Sequence, residues 1–579
     1  MNEKSNYTRP VIYQMLPRLF GNSETTRKRN GTLEENGCGK FEDITIAALK
    51  SIKELGITHV WYTGIIEHAQ LTDYSKHGIA MDFPDVVKGK AGSPYAIKDY
   101  FDVDPDLATS VPLRMQEFEA LVNRTHQAGL KVIIDLVPNH LARQYISDNK
   151  PAGIEDFGTS DDKRKAFSPG NNFYYLPGSE FISPAKTTDG SNWKEEPARV
   201  TGNNCFKADP SLNDWYDTVK LNYGEDFSSG HKYFNPAPDT WKKMLDVVLF
   251  WSGKKIDAFR VDMAGMVPVE FWQWLFEEVK KKYPSIQFIA EIYEPERYHE
   301  FLFKGGFDYL YDKELFYNTI RGVITGTLPA SEITAVWQKV EGFHHHLLYF
   351  LENHDEQRIA SRFFVGDAFK ALPGLVVMAT MLHNPLLIYF GQELGEEGMD
   401  EEGFSEKDGR TSIYDYWSLP LIQKWAGPEK NFTGDGLPDE AKTLRAFYRK
   451  ILRMANDEPA LARGRFYDLI WSNLHNNAFD SDCLYACFRY CGEQILLVMA
   501  NFSDEDKDFR LRVPRHFFDQ AALNERLYFR GHDKLKMNKM LQFPAEIALN
   551  AGLGGRLKKH SASVFELEYY SMERGITGV

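Results

Sequence analysis

An arginine and an aspartate, Arg260 and Asp262, stand two residues apart inside the apolar stretch "DAFRVDMAGM" (257–266). Alternate residues of a strand face the same way, so the guanidinium and the carboxylate would share one face. Burying an unpaired ion is costly, so a charged pair in an apolar strand calls for a partner or a task. Other polar groups close similar runs. Asp135 ends "KVIIDLV" with Asn139 and His140 just beyond, Glu291 ends "QFIAEIY", and His354 and Asp355 follow "LYFLEN". Glycoside cleavage needs two carboxyls in opposite protonation states: one attacks the anomeric carbon, the other gives a proton to the leaving oxygen. Arg260 would hold Asp262 ionised and lower its pKa, which suits the attacking group. Glu291, at the end of an apolar run, would keep its proton. Asp135 reads as a partner of Arg260.

The elements that must position these groups are short and apolar. They are "VIYQML" (11–16), "HVWYTGII" (59–66), "KVIIDLV" (131–137) and "IDAFRVD" (256–262). They continue with "QFIAEIY" (287–293), "FDYLYD" (307–312), "LYFLEN" (348–353) and "LLIYF" (386–390). Runs this uniformly apolar suit a parallel sheet covered by helices. The helix before the fourth run shows Trp241, Leu245, Val248 and Ser252 at helical spacing, with Asp239 or Thr240 as its expected cap. Strands alternating with helices predict an α/β chain, a closed (β/α)8 barrel whose reactive face is the C-terminal end of the strands. About 95 residues rich in Gly, Asn, Asp, Pro and Tyr separate the third strand from that helix, too long for a plain loop. The expected division is a barrel over 1–140 and 226–460, an inserted loop-rich domain over 141–225, and a C-terminal all-β sandwich over 461–579.

Composition narrows the function classes. The 579 residues are 43% hydrophobic and 26% charged, as in ordinary globular proteins, with a formal net charge of −14 that argues against a nucleic-acid partner. Aromatics reach 14%, enough for a large core and for rings that stack on a sugar face. The start "MNEKSNYTRP" has no apolar leader core, no run has the length of a membrane span, and five cysteines form a sparse, odd set. These features predict no membrane partner and a cytoplasmic location.

These residues also carry a resemblance. "DLVPNH" (135–140), "DAFRVDMAG" (257–265), "FIAEIYE" (288–294) and "FLENHDEQR" (350–358) look like the four conserved segments of the alpha-amylase family, in the family's order. "VIYQMLPRLFGN", "LGITHVWYTGI", "SPYAIKDYFDVDPDLAT" and "LIYFGQELG" also resemble family segments, so the likeness covers roughly residues 10–460. The resemblance implies a retaining barrel glycosidase acting on alpha-linked glucans or maltodextrins. Asp262 would be the nucleophile, Glu291 the general acid/base and Asp355 the carboxylate that binds sugar hydroxyls and steadies the transition state. Arg260 would orient Asp262, His140 and His354 would hydrogen-bond the sugar ring, and Tyr95 would stack on it. Tyr174, Trp193, Trp215 and Tyr216 in the insertion are further candidates for sugar contact. No cofactor is implied for the chemistry; a structural calcium is, with Asn139 as a ligand. The chain departs from the family where a Lys-His pair contacting sugar and calcium is replaced by Gly265 and Met266, and where His-Gly before the stacking Tyr is replaced by Ser93-Pro94. An alternative is a transglycosylase of the same family, trehalose-forming, maltosyl-transferring or sucrose-active, in which a sugar replaces water as the acceptor. A glucan-binding protein without catalysis is the third reading, disfavoured because the carboxylates are present.

Overall fold

The computed structural model describes residues 9–185, 193–398, 404, 407–524, 526–536 and 540–571. The two ends of the chain, part of the expected barrel and C-terminal domains, lie outside the described residues. Eight parallel strands close a barrel: β1 (Val11–Met15), β2 (His59–Tyr62), β3 (Lys131–Leu136), β4 (Ala258–Val261), β5 (Gln287–Ala290), β6 (Tyr309–Tyr311), β7 (Leu347–Phe350) and β8 (Leu386–Tyr389). Each strand pairs with its sequence neighbours, and β8 returns to β1 through Val11 opposite Leu386. All eight apolar runs of the sequence are barrel strands, most of them shorter than the runs.

Side-chain alternation builds two cores. Ile12, Trp61, Ile133, Ala258, Ile289, Leu348 and Leu387 point inward and fill the barrel. Val60, Ile134, Phe259, Phe288, Leu310, Tyr349 and Ile388 point outward to the helices. Burial on both faces explains why these strands read as continuous apolar runs. The inward residues fix the register of the mouth, since the next residue of the same parity lies one step nearer the strand's C-terminal end. Ile133 leads to Asp135, Ala258 to Arg260 and then Asp262, and Ile289 to Glu291.

The helix Asp239–Ser252 lies where its periodicity places it, but its cap differs from expectation. Pro238 occupies the cap position, and no side chain caps the first turn. Asp239 and Thr240 lie inside the helix and accept hydrogen bonds from Asn172 at 3.1 Å each, so their oxygens serve the insertion instead.

The long segment after β3 folds back on itself. His140–Ala142 pairs antiparallel with Thr218–Lys220, with His140 opposite Lys220. Within the segment the buried Arg143 guanidinium pairs with Glu195 at 2.7 Å and lies over the Phe181 ring. After the barrel, a six-stranded sheet runs in the order Arg465–Asp468, Leu484–Cys491, Gln494–Asn501, Ser561–Ser571, Leu527–Asp533, Met540–Pro544. A second, two-stranded sheet pairs Lys507–Leu511 with Leu553–Leu557, and the short helices Arg515–Gln520 and Ala545–Asn550 accompany the two sheets. Arg489 ties this part to the barrel by donating to the Thr380 and Met381 carbonyls at 2.9 and 3.0 Å. No helix among the described residues is long and apolar enough to cross a membrane.

Candidate active site

Arg260 stands at the centre of the mouth, 1% exposed. One of its terminal nitrogens donates to Asp262 Oδ1 at 2.8 Å and to Asp135 Oδ1 at 3.4 Å; the other lies 2.9 Å from Glu291 Oε2. The pairing of β3 with β4 sets Arg260 directly opposite Asp135, and the Trp61 indole donates to Asp135 Oδ2 at 3.1 Å. Trp61, Tyr95 and Tyr311 surround the guanidinium with ring centres 5.3–5.5 Å away. Three carboxyls thus share one fixed positive charge, which is why a charged pair persists in an apolar strand.

The expected electrostatics are met only in part. Arg260 does pull Asp262 toward ionisation, but burial outweighs it, and Glu291 and Asp135 add to the upward push, so the Asp262 pKa lies well above its ordinary value. Burial pushes Asp135 up to about 7 against the pull of Arg260 and the Trp61 hydrogen bond. Carboxyls this close retain a proton among them.

That shift predicts a pH effect on stability. The folded-state pKa of Asp135 is raised, so between the unfolded value of about 4 and about 7 the folded chain holds a proton that the unfolded chain has lost. Stability therefore falls as pH rises through that window. Asp135→Asn should remove this slope. Its Tm relative to the parent should be lowest near pH 4, rise up to pH 7 and then level off, as thermal melts across that range would show.

The two oxygens of Asp262 differ. Oδ1 is held by Arg260, whereas buried Oδ2 has no hydrogen-bond partner among the described residues and lies 4.0 Å from His140 Nε2. Both oxygens of Glu291 are engaged: Oε2 accepts from the Met263 backbone N–H at 2.8 Å, and Oε1 meets the Tyr293 hydroxyl.

The histidines are fixed by neighbours. Gln14 Nε2 donates to His354 Nδ1 at 2.8 Å, which leaves the proton on Nε2, 2.6 Å from the Tyr95 hydroxyl and 3.1 Å from Asp355 Oδ2. Asn139 Nδ2 donates to His140 Nδ1 at 3.0 Å, so the Nε2 proton of His140 faces Asp262. Burial pushes both imidazoles down to about 3, and both are neutral donors near neutral pH.

Asn139 does not fit the expected cation. Its Oδ1 accepts a hydrogen bond from the Lys220 amino group, which also donates to the Met266 carbonyl at 3.0 Å. Burial pushes Lys220 down to about 7, and Glu225 pulls the other way. A calcium site requires several oxygen ligands, carboxylates among them; here a nitrogen donor occupies the centre.

Asp262, Glu291, Asp355, His140, His354 and Tyr95 line one cavity of about 240 Å³. Asp355 is its most open acid, with a side chain 38% exposed. Part of the remaining wall was not anticipated, including Lys88, Asp217, Tyr293 and Tyr414. Lys88 and Asp217 close it with an ion pair at 3.1 Å. Of the four aromatics singled out in the insertion, only Trp215 lines the cavity, its ring 5.1 Å from that of His140. Tyr174 and Tyr216 are buried, and Trp193 packs against Phe83. Tyr293 carried a signal, two residues beyond Glu291 and so of the same parity; Lys88 and Asp217 carried none. A larger cavity of about 820 Å³, beside Trp337, Trp471 and Arg489, does not reach the barrel-mouth carboxyls.

A closed eight-stranded barrel with acids at its C-terminal mouth defines a class of enzymes, and the comparisons narrow it. The family profile described as "Alpha amylase, catalytic domain" matches residues 14–305. The chain is 22% identical over 477 residues to alpha-amylase 3 of Dictyoglomus thermophilum, covering 79% of each chain. It is 23% identical to the oligo-1,6-glucosidase of Parageobacillus thermoglucosidasius, over 86% of this chain and 91% of that one. In structure it is similar to the maltogenic alpha-amylase AmyB of Thermotoga neapolitana, with a TM-score of 0.63 at 17% identity, covering 98% of this chain and 100% of that one. The alpha-amylase of Geobacillus thermoleovorans follows with a TM-score of 0.61 at 18% identity, covering 98% and 99%. The chain belongs to the alpha-amylase family and is a glycoside hydrolase.

Proposed function

We propose that this enzyme cleaves α-glucosidic bonds of maltodextrin- or starch-like glucans with retention of configuration. The observation that carries the reading is the guanidinium of Arg260 held jointly by Asp262 and Glu291. Asp262 attacks the anomeric carbon through the unpartnered Oδ2 while Arg260 keeps Oδ1 in place. Glu291 gives its proton to the leaving oxygen, then takes one from the water that hydrolyses the glycosyl–Asp262 ester. Asp355 and the Nε2 protons of His140 and His354 hold the hydroxyls of the same ring, and Tyr95 covers its face. Relatives named as amylases and as an oligo-1,6-glucosidase support the α-glucan assignment.

The cavity also bears on chain length. Its 240 Å³ fall below the ~300–1,000 Å³ of typical ligand pockets, which favours a short segment of sugar over a long one. The Lys88–Asp217 pair and Trp215 close its wall, an arrangement suited to removing single units from a chain end. Lys88→Ala should open that wall. The ratio of kcat/KM on maltoheptaose to that on maltose should rise about fivefold, equivalent to ~1 kcal/mol of added contact, as steady-state kinetics on both sugars would show.

Product analysis tests the function. Maltoheptaose, sucrose and trehalose are each incubated with the enzyme, with and without an added acceptor sugar, and the anomer first released is read by NMR. Shorter α-configured products from maltoheptaose support the reading. A β-configured first product rules out retention, and longer oligosaccharides as the main products would make the enzyme a transferase.

A further inference from the structure

We propose that the Lys220 amino group stands in for a bridging cation where the insertion meets the barrel mouth, tying Asn139 to the Met266 carbonyl and so fixing His140 against Asp262. The enzyme then needs no calcium at this site, and Lys220 is a positioning residue for the reaction.

The geometry is that of a bridge. Lys220 ends the strand Thr218–Lys220 and lies opposite His140 across the hairpin that closes the insertion. Its side chain is buried, 2% exposed. There it donates to Asn139 Oδ1, just beyond the end of β3, and to the carbonyl of Met266, just beyond β4. Three chain segments therefore meet on one nitrogen. Both acceptors are uncharged oxygens, and Lys220 forms no carboxylate ion pair among the described residues. A site built for a dication gathers carboxylates; one built for an amino group needs only neutral acceptors at hydrogen-bond distance.

The bridge reaches the chemistry in two steps. With Oδ1 turned to Lys220, the Asn139 amide nitrogen points the other way and donates to the Gly202 carbonyl at 2.9 Å and to His140 Nδ1 at 3.0 Å. Because Nδ1 accepts, the His140 proton sits on Nε2, the nitrogen facing Asp262 Oδ2. A flipped Asn139 would offer Nδ1 an oxygen, draw the proton to that side and withdraw the donor from the cavity. Partners that orient a metal-ligating histidine are worth about 10–100-fold in activity, and a loss on that scale is expected where the same orientation is lost at His140. A covalently attached amino group differs from a bound cation in that no chelator removes it and no calcium supply limits it.

The first test needs no activity. The parent enzyme, dialysed against EDTA or against calcium chloride, should show the same Tm in both and contain less than stoichiometric calcium by elemental analysis. A Tm that rises in calcium and falls in EDTA, or one calcium retained per chain at this site, would overturn the cation replacement. The second test concerns His140 and rests on the proposed function. In Lys220→Met, competent sites are counted by the calorimetric stoichiometry of deoxynojirimycin binding, so that any unfolded fraction drops out. The expected result is kcat per competent site lower by about 10–100-fold, with stoichiometry unchanged. A kcat per site equal to the parent would show that Lys220 only packs. If Lys220→Met does not accumulate as folded protein, Asn139→Ala, which removes both the oxygen that Lys220 holds and the amide that orients His140, carries the same comparison. Parent enzyme that neither binds deoxynojirimycin nor cleaves a glucan would defeat the proposed function while leaving the calcium result standing.

Discussion

Asp262→Asn should abolish turnover, lowering kcat by about 10⁴-fold or more, without unfolding the protein. The amide matches the carboxylate in shape, and its oxygen can still accept the 2.8 Å hydrogen bond from Arg260. What disappears is the second, unpartnered oxygen beside the cavity: an amide nitrogen has no lone pair free to form the glycosyl ester. The same substitution should leave Tm unchanged or raise it, more so at higher pH. The folded-state pKa of Asp262 lies above its unfolded value, so ionising this residue costs stability as pH rises from the unfolded value through the folded one. An activity lost by misfolding would instead come with a lower Tm. Rates on maltodextrin and melts at pH 5 and pH 8, measured on the same preparation, separate the two causes, and a rate near that of the parent would remove Asp262 from the nucleophile role.

Glu291→Gln should show a different pattern. On maltooligosaccharides, whose leaving sugar needs a proton, kcat should fall by about 10²–10⁴-fold. On an α-glucosyl fluoride, whose leaving group needs none, the first step should be much less affected, and the glycosyl–Asp262 ester should accumulate for want of a base to activate water. Added azide, a nucleophile that requires no base, should then discharge the ester and restore turnover. Glutamine keeps an oxygen for the Met263 N–H at 2.8 Å, so the loop after β4 keeps its anchor. Equal losses on both substrates, with no response to azide, would show that Glu291 holds structure and does not transfer the proton.

The two substitutions also probe why the mouth is built around one guanidinium. Arg260 faces Asp135, Asp262 and Glu291, more potential negative charge than it can balance. The raised pKa values of Asp135 and Asp262 favour keeping a proton in the cluster, and the proposed retaining mechanism would need a carboxylate and a carboxylic acid side by side. In that proposal position would divide the labour: one oxygen of Asp262 is left open, while Glu291 accepts from the Tyr293 hydroxyl.

Much of this was legible along the chain because the relevant information is local. A strand repeats every two residues, so inward-facing Ile133, Ala258 and Ile289 predict that Asp135, Arg260, Asp262 and Glu291 reach the same mouth. Burial on both faces makes each barrel strand an apolar run, and eight such runs alternating with helices leave few architectures other than a closed barrel. What the sequence left open depends on closure of that barrel. Gln14 meets His354 across 340 residues, and Lys220 meets Asn139 across 81; no periodicity links such positions, so the tautomers of both histidines and the nitrogen standing where a cation was expected appear only in three dimensions. The same holds for the choice of Trp215 over Tyr174, Trp193 and Tyr216, since aromatic type alone does not say which ring the insertion turns toward the cavity. The direction of the Asp262 pKa reversed for a related reason. Sequence shows the partner two residues away, but only the folded barrel sets how much water is removed from both, and here that loss outweighs the attraction.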